Sequence, residues 1–405
     1  MNTIAPEEVG VSSARLNRIG KAMQSYVDER KLAGLITMIA RRGQVLHFEC
    51  FGMMDIEAGK SMQSDTIFRI HSMTKPITSV AVMMLYEQGD FQLKDPVSRF
   101  IPGFKDLRVF VKATESGLEL AEPEREVTMQ DLLTHTAGLV YGDPEGSPVE
   151  AAVWQADREA EKVAPDETLE EWIQRLVRLP LAHQPGSKWH YGLSTDVLGY
   201  VVEVISGLAF DTFLEQRIFS PLGIVDTGFY VPQEKISRLA TMYGPAEGGG
   251  LQIMDTPETS KYSKPKRFLS GGGGLVSTAS DYMRFAQMLL NGGEMNCVRL
   301  LSRETVKLMT TNHLSDELIP IQLDPLTSYL KGHGFGLGFA VITNVAQSGM
   351  YGSEGSYWWG GAANTFFWVD PREKLIGLIM PQFLASGRYP IQRELQELTY
   401  QAIVG

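Results

Sequence analysis

Short apolar runs near both ends of the chain are bounded by turn-forming residues, which is the pattern of β-strands. The runs that predict strands are residues 34–40, 44–51, 336–342, 365–369 and 375–380. Arg41-Arg42-Gly43 and the segment 370–374 supply tight turns between neighbouring runs. Strands at both ends with helices between them predict that the two ends of the chain pair in one antiparallel sheet.

Between these ends, the apolar positions recur with the period of a helix. Thr168 and Glu171 form a capping box, and a stripe follows at Leu169, Trp172, Ile173, Leu176 and Val177. A second stripe, which ends at Gly207, consists of Val197, Leu198, Val201, Val204 and Ile205. Further helices are predicted over residues 15–30, 127–133, 281–290 and 391–404.

The pattern predicts an α/β (α+β) protein with two folding units. Residues 1–95 and 331–405 are expected to form an α/β domain, with the antiparallel sheet and the terminal helices. Residues 96–330 are expected to form a mostly helical domain inserted between them. Two glycine runs, 247–250 and 271–274, lack the spacing of a phosphate-binding loop, so we interpret the second as a tight turn against a neighbouring element.

Composition and charge remove several classes of partner. The formal net charge is −11, with 37 Lys and Arg against 48 Asp and Glu, which disfavours nucleic acid and anionic membrane surfaces. The first ten residues lack the cationic and apolar regions of a signal peptide, and no run has the apolar length of a membrane span. Cys50 and Cys297 are too few for a disulfide framework, so we expect reduced thiols in a cytoplasmic protein.

The strongest chemical signal is Ser72-Met73-Thr74-Lys75. A serine three residues before a lysine shares one helical face with it, so the amine can take the proton of the hydroxyl. Pro76 is tolerated near a helix start, and the buried helix that follows ends at Gly89, which places Ser72 at the helix N-terminus. Free N–H groups at that end favour an oxygen that gains negative charge.

A lysine with an ordinary pKa of about 10.4 needs burial or a second group to act as a base near pH 7. Tyr191 lies between the turn 184–187 and a helix that begins near Ser194, so it can supply that second group. Packing alone also explains a tyrosine at this position.

A third element is Trp358-Trp359-Gly360-Gly361-Ala362-Ala363-Asn364, which leads into a strand. Glycines let the backbone approach a ligand closely, so the N–H groups of Ser72 and Ala362 can point at one oxyanion. A bulge stabilised by stacked tryptophans explains the same residues without chemistry.

Together, these three elements resemble the family VIII carboxylesterases, which belong to the superfamily of class C β-lactamases and penicillin-binding proteins. The similarity runs over residues 9–382 in the order of the family. The resemblance implies a β-lactamase-like fold with the active site in the cleft between sheet and helical domain. It implies Ser72 as the acylated nucleophile, Lys75 with Tyr191 as the general base, and Ser72 and Ala362 N–H groups as the oxyanion hole. It implies no metal and no cofactor, and His71 and His135 are interpreted as structural.

Two positions depart from the β-lactamase pattern. The Y-x-N motif is Tyr191-Gly192-Leu193 here, and the K-T-G motif is Trp359-Gly360-Gly361, without the cation that would pair with a β-lactam carboxylate. Both changes favour an apolar ester, and the predicted substrate-binding residues are Tyr141, Leu193, Trp358, Trp359, Gly360 and Gly361.

The sequence analysis therefore predicts a serine carboxylesterase for small-molecule esters of short to medium chain length, with an oligomeric state that the sequence leaves open. Acyl transfer through the same acyl-enzyme, and weak β-lactamase or D-amino-acid peptidase activity, remain alternatives. A binding protein that keeps the fold without chemistry is disfavoured by the intact Ser72, Lys75 and Tyr191.

Overall fold

The computed structural model describes residues 3–115, 117–164, 166–323 and 330–405. Its helices are α1 (Ser13–Leu16), α2 (Arg18–Asp28), α3 (Thr74–Gln88), α4 (Met129–Leu133), α5 (Pro148–Val163), α6 (Leu169–Leu176), α7 (Ser194–Ser206), α8 (Phe210–Leu214), α9 (Ser220–Leu222), α10 (Ala279–Leu290), α11 (Arg303–Met309), α12 (Val345–Ser348) and α13 (Ile391–Gln401).

The strands fall into one large sheet and four small pairs. They are β1 (Gly34–Arg41), β2 (Gln44–Asp55), β3 (Lys60–Ser61), β4 (Phe68–Arg69), β5 (Val109–Thr114), β6 (Gly117–Ala121), β7 (Met242–Pro245), β8 (Leu251–Asp255), β9 (Val276–Ser277), β10 (Glu294–Met295), β11 (Val298–Arg299), β12 (His333–Phe335), β13 (Ala340–Ile342), β14 (Tyr357–Gly360), β15 (Phe366–Asp370) and β16 (Leu375–Pro381).

Both ends of the chain contribute to one eight-stranded sheet, in the order β12-β13-β14-β15-β16-β1-β2-β3. The first and last long strands are antiparallel neighbours, with Met38 opposite Leu378. This pairing confirms the predicted fold class. The segment between the two ends supplies helices α4–α11 and the two-stranded pairs β5–β6, β7–β8 and β10–β11.

Side-chain alternation along β1 divides the apolar core between the two faces of the sheet. Leu35 and Ile39 pack on one face with residues of α2 and α13. Ile36 and Met38 pack on the other face, in the larger cluster that contains α3, α7 and α10. Successive strand residues point to opposite faces, so a strand that is buried along its whole length reads as a continuous apolar run.

Two predicted elements differ from the structure for local reasons. The strand expected over residues 336–342 is instead a turn followed by the short β13, since Gly336 N–H donates to Phe339 O at 2.8 Å and Gly338 has a φ of 98°. The single helix expected over residues 15–30 is divided at Asn17 into α1 and α2. The strand β14 was not predicted as a strand of its own.

The helix α3 crosses the interior and carries the candidate chemistry at its beginning. A 3-10 turn, His71–Met73, leads directly into α3, and Gly89 ends the helix with a φ of 85°. Nearly every residue from Thr74 to Leu85 is buried, so the helix is held on all sides. The N-terminus of α3 is therefore a rigid platform for Ser72.

Of the helices described, no single one is long and apolar enough to cross a membrane, although α7 and the segment Phe210–Leu222, which meet at a bend of 80°, pass that test as a pair. Cys50 and Cys297 are both free, exposed thiols.

Candidate active site

Ser72 lies in the 3-10 turn before α3, and hydrogen bonds on both sides of that turn hold it to Leu275, the residue before β9. Ile70 N–H donates to Leu275 O at 3.1 Å, and Leu275 N–H donates to the Thr74 hydroxyl at 3.1 Å. His71 has a φ of 43°, a left-handed conformation that non-glycine residues adopt rarely. The serine is thus presented by a tight, doubly anchored turn, and it borders an open cleft of about 860 Å³.

Lys75 is buried, with 1% of its surface exposed, and its amine contacts three oxygens. Nζ donates to Ser72 Oγ at 3.2 Å, to the Tyr141 hydroxyl at 2.8 Å and to Gly272 O at 2.7 Å. These three oxygens match the three N–H donors of the protonated amine, and in the neutral amine the lone pair takes the place of the donor towards Ser72 Oγ. The sequence prediction that hydroxyl and amine are neighbours agrees with this geometry.

Tyr191 approaches the lysine with its ring. The Lys75 Nζ atom lies 4.6 Å from the centroid of the Tyr191 ring, which is a cation–π contact. The Tyr191 hydroxyl is buried and has no hydrogen-bond partner among the residues that the structure describes. Rings of His135, Trp359 and Tyr141 surround it at centroid distances of 5.0, 5.3 and 5.5 Å. The neighbouring rings therefore hold Tyr191 in place, while its hydroxyl makes no hydrogen bond to another described residue.

The hydroxyl that Lys75 contacts directly belongs to Tyr141, which the sequence analysis assigned only to substrate binding. Burial raises the pKa of Tyr141 well above its ordinary value, and the nearby Tyr191 and Asp196 raise that pKa further. Tyr141 therefore stays a neutral phenol that can accept the lysine hydrogen bond. One face of the residue remains 36% exposed to the cleft, so Tyr141 touches both the base and the substrate space.

Asp196 is a second residue that the sequence analysis missed. Its Oδ1 accepts from Gly272 N–H at 3.0 Å and from the Ser270 hydroxyl at 2.5 Å. The carbonyl of the same glycine accepts from Lys75. Burial raises the pKa of Asp196, while Lys75 and the two donors oppose that shift. A signal was present, because Asp196 lies in the first turn of α7, five residues after Tyr191.

The glycine run 271–274 packs against α7 and the start of α3, as the sequence analysis predicted. A Cβ on Gly272 would lie 2.3 Å from Asp196 Oδ2, and one on Gly271 would lie 2.6 Å from Thr195 O. These glycines are required because the backbone itself contacts the neighbouring helix.

The turn after β14 brings a second backbone N–H to the cleft. Ala362 is exposed and lines the cleft together with Ser72. Its N–H donates to no oxygen among the described residues. Position 361 has no room for a side chain, because a Cβ on Gly361 would lie 2.4 Å from Ile70 O. Ile70 belongs to the segment that carries Ser72.

The expected substrate-binding residues divide into two groups. Tyr141 and Leu193 line the cleft. Trp358, Trp359, Gly360 and Gly361 are not among the described residues that border it. Trp359 is only 2% exposed, because β14 directs its ring inward between Tyr191 and Phe335, at 5.3 Å from each. Trp359 therefore packs against the Tyr191 ring and does not line the cleft, where the sequence analysis expected it.

The aromatic surface of the cleft comes from elsewhere in the chain. Trp172, Tyr262 and Phe268 line it, and two cations, Lys261 and Lys266, lie on the same wall as Tyr262. We call the four cleft-lining residues Lys261, Tyr262, Lys266 and Phe268 the lysine wall. The sequence analysis did not find it, since these residues form no motif.

Two histidines near the site are neutral. Burial and the surrounding cations lower the pKa of His71 to about 4, and burial lowers the pKa of His135 well below its ordinary value. Within the described part of the chain, no group of three His, Cys, Asp or Glu residues is placed to hold a metal ion.

Comparison with known proteins places this geometry in a family. The family model described as Beta-lactamase matches residues 19–401. Protein Rv1367c of Mycobacterium tuberculosis is 37% identical over 372 residues, which cover 89% of this chain and 88% of that protein. Esterase EstB of Burkholderia gladioli is 30% identical over 405 residues, covering 95% and 94%.

A solved structure supports the same assignment. EstCE1, described as a hydrolase with promiscuous acyltransferase activity, superimposes with a TM-score of 0.78 at 25% identity, covering 96% of this chain and 99% of that one. The chain therefore belongs to the β-lactamase family, as a serine hydrolase that resembles the family VIII esterases.

Proposed function

We propose that the protein is a serine carboxylesterase that hydrolyses short- to medium-chain carboxylic esters through an acyl-enzyme on Ser72. The observation that carries this proposal is the contact of 3.2 Å between the buried Lys75 amine and Ser72 Oγ, at the edge of an open cleft. The aromatic lining by Tyr141, Trp172 and Phe268 suits an apolar acyl or alcohol group.

In acylation, Ser72 Oγ forms a bond to the ester carbonyl carbon, and its proton moves to the Lys75–Tyr191 pair. The carbonyl oxygen becomes an oxyanion, which the N–H groups of Ser72 and Ala362 would stabilise. When the tetrahedral intermediate collapses, the bond to the alcohol oxygen breaks and the same proton returns to the leaving alcohol.

Deacylation repeats these steps with water as the nucleophile. Lys75 or Tyr191 takes a proton from water, the hydroxide oxygen bonds to the acyl carbon, and Ser72 leaves with a proton while the acid is released. The unpartnered Tyr191 hydroxyl supports this assignment, because it is buried at the site and accepts or donates no other hydrogen bond among the described residues. Tyr141 would hold the lysine amine in place throughout.

Ester hydrolysis is favoured over β-lactam hydrolysis by two substitutions. Leu193 lines the cleft where β-lactamases carry an amide side chain, and β14 ends in Trp359-Gly360-Gly361 without a lysine. A neutral ester carbonyl needs neither group.

The test is turnover of a series of 4-nitrophenyl esters, acetate to octanoate, with intact-mass analysis of the quenched enzyme. We expect an acyl adduct on the peptide that contains Ser72 and a loss of kcat of about 10⁴-fold or more in Ser72→Ala. Lys75→Ala and Tyr191→Phe should lose roughly 10² to 10⁴-fold, the usual contribution of a general base. Full activity of Ser72→Ala would refute the proposal.

Acyl transfer is a second candidate, favoured by the likeness to EstCE1 and by the aromatic cleft. An acyl-enzyme in such a cleft can be attacked by an alcohol in place of water. Product analysis with a competing alcohol separates the two: free acid as the sole product excludes transfer.

A further inference from the structure

The lysine wall places two lysines in the same cleft that Ser72 borders. Lys266 Nζ lies 3.4 Å from the centroid of the Tyr262 ring, and Lys261 Nζ lies 5.8 Å from it. Arg69 approaches the same ring with its Cζ at 5.9 Å. Three cations therefore surround one aromatic ring.

This cluster is joined to the active site through the glycine run. The Tyr262 hydroxyl donates to Gly273 O at 3.2 Å, and the neighbouring Gly272 carbonyl is an acceptor of Lys75. A Cβ on Gly273 would lie 3.8 Å from the carbonyl carbon of His71, the residue before Ser72. The positive potential reaches that point, since Arg69, Lys261 and Lys266 all lower the pKa of His71. A ligand that reaches Ser72 thus passes within range of the lysines.

Neither lysine forms a close ion pair. Asp255 pairs with Arg69 at 2.6 Å and acts on Lys266 only from a greater distance, and neither Lys261 nor Lys266 has a carboxylate within 4.0 Å in the described ranges. Burial, with Lys261 and Arg69, lowers the pKa of Lys266 to about 7. A half-buried ammonium without a partner is unfavourable, so an anion delivered from outside would be stabilised there.

The acids that line the cleft form no ion pair with these lysines. Three of them have their own cations, in the pairs Asp157–Arg175 at 2.7 Å, Glu167–Arg175 at 2.7 Å and Glu161–Arg158 at 2.7 Å. Asp166 also lines the cleft, and it has neither lysine within 4.0 Å among the residues that the structure describes. In a chain of net charge −11, an unpaired pair of lysines in the substrate cleft is an informative exception.

We propose that Lys261 and Lys266 bind a carboxylate carried by the substrate, so that the preferred esters are acidic ones in which this carboxylate lies several bonds from the scissile carbonyl. The inference rests on the proposed esterase function and specifies its substrate class. It modifies the expectation that loss of the K-T-G lysine disfavours anions, because a different element supplies the positive charge. Lys261 and Lys266 act here as specificity-determining residues.

The experiment compares 4-nitrophenyl hydrogen adipate with its methyl-capped counterpart, 4-nitrophenyl methyl adipate, at pH 6. We expect kcat/KM to be roughly ten- to a hundredfold higher for the charged ester, the range of a charge-assisted contact. The ratio should fall towards one in the double variant Lys261→Gln/Lys266→Gln and fall partly in Lys261→Gln. Because Lys261 is exposed, misfolding would not explain a lower ratio in the single variant.

Lys264→Gln is the matched control, since Lys264 is exposed, lies between the two lysines in sequence and does not line the cleft. It should keep both the ratio and the activity. Equal kcat/KM values for the two esters in the unmodified enzyme would overturn the proposal, and so would an equal loss of the ratio in Lys264→Gln.

A binding measurement separates this inference from the esterase function. Titration of monomethyl adipate and of dimethyl adipate into Ser72→Ala by calorimetry measures the subsite without turnover. Tighter binding of the charged ester, with no hydrolysis by the unmodified enzyme, would support the carboxylate site at the lysines and refute the esterase function. Hydrolysis of neutral esters without tighter binding of the charged ester would support the esterase function and refute the carboxylate site.

Discussion

The two walls of the cleft are built in opposite ways. On the side of Ser72, the charged groups have protein partners: Lys75 has three acceptors, and Asp196 receives two donors. The Tyr191 hydroxyl and the Ala362 N–H are polar groups there without a partner among the described residues.

On the lysine wall, Lys261 and Lys266 border the cleft beside the Tyr262 ring, and neither has a carboxylate within 4.0 Å in the described part of the chain. A saturated wall fixes geometry for chemistry, whereas an unsaturated wall is prepared for a ligand.

Close backbone contact is what makes the first wall rigid. At Gly361, Ile70 O and Thr365 Oγ1 both lie 2.4 Å from the position of a Cβ, so the turn with Ala362 is seated directly on the nucleophile segment. No comparable approach exists at Gly248, where nothing lies within 4 Å. We therefore expect that the wall on the side of Ser72 does not accommodate an added methyl group at its close backbone contacts.

Gly361→Ala should give the largest effect among variants that leave the reacting side chains intact. The methyl group must push the turn away from Ile70, which should destabilise the fold by roughly 1–3 kcal/mol. Displacing a backbone donor by about 1 Å is expected to lower kcat about a hundredfold. Thermal unfolding and 4-nitrophenyl butyrate turnover measure the two effects. Gly248→Ala is the control, and similar behaviour of the two variants would contradict the account of the rigid wall.

Tyr141→Phe should have a smaller effect on the same wall. The change removes the acceptor at 2.8 Å from Lys75 and keeps the ring that borders the cleft. We expect kcat to fall roughly ten- to a hundredfold, the low end of general acid–base contributions, with little change in KM. Steady-state kinetics give the division between kcat and KM. A rise in KM alone would show that Tyr141 only binds substrate, as the sequence analysis assumed.

These two walls also differ in how far the sequence predicts them. Ser72 and Lys75 are three residues apart on one helical turn, so their contact is local and the sequence contains it. Tyr141 reaches Lys75 across 66 positions, and no local pattern marks it. The lysine wall lacks a motif for the same reason: Arg69 and Lys266 become neighbours only through the tertiary fold.

The fold shows the same division between local and distant causes. The strands β1 and β16 were predictable because their continuous apolar runs are bounded by turns. The segment 336–342 was misread, because Gly336 and Gly338 permit a turn that the apolar pattern does not reveal. The sequence analysis placed Trp359 at the substrate, because nothing in the sequence indicates that β14 directs this side chain into the interior.

The last prediction sharpens the contrast through pH and concerns Lys266. The pKa of this residue is about 7 because of burial, and the groups that face it are Arg69, Lys261, Asp255 and Tyr262. Of these, only Asp255 raises the pKa of Lys266, while the pKa of Tyr262 is itself raised to about 12 by burial. The ammonium is therefore present below pH 7 in the free enzyme and lost as the pH rises through 7.

A substrate carboxylate is ionised above about pH 4.3, so the attraction should exist between pH 5 and pH 7 and fade above it. The ratio of kcat/KM for the charged over the neutral adipate ester should fall about three- to tenfold from pH 6 to pH 8, because kcat/KM reports the free enzyme. The bound anion should raise the pKa of Lys266, so the corresponding fall in the ratio of kcat values would come at higher pH. Lys264→Gln should keep the pH dependence and Lys266→Gln should lose it. A ratio that stays constant from pH 6 to pH 8 in the unmodified enzyme would mean that Lys266 does not meet the carboxylate, and the two walls would then differ in charge without differing in role.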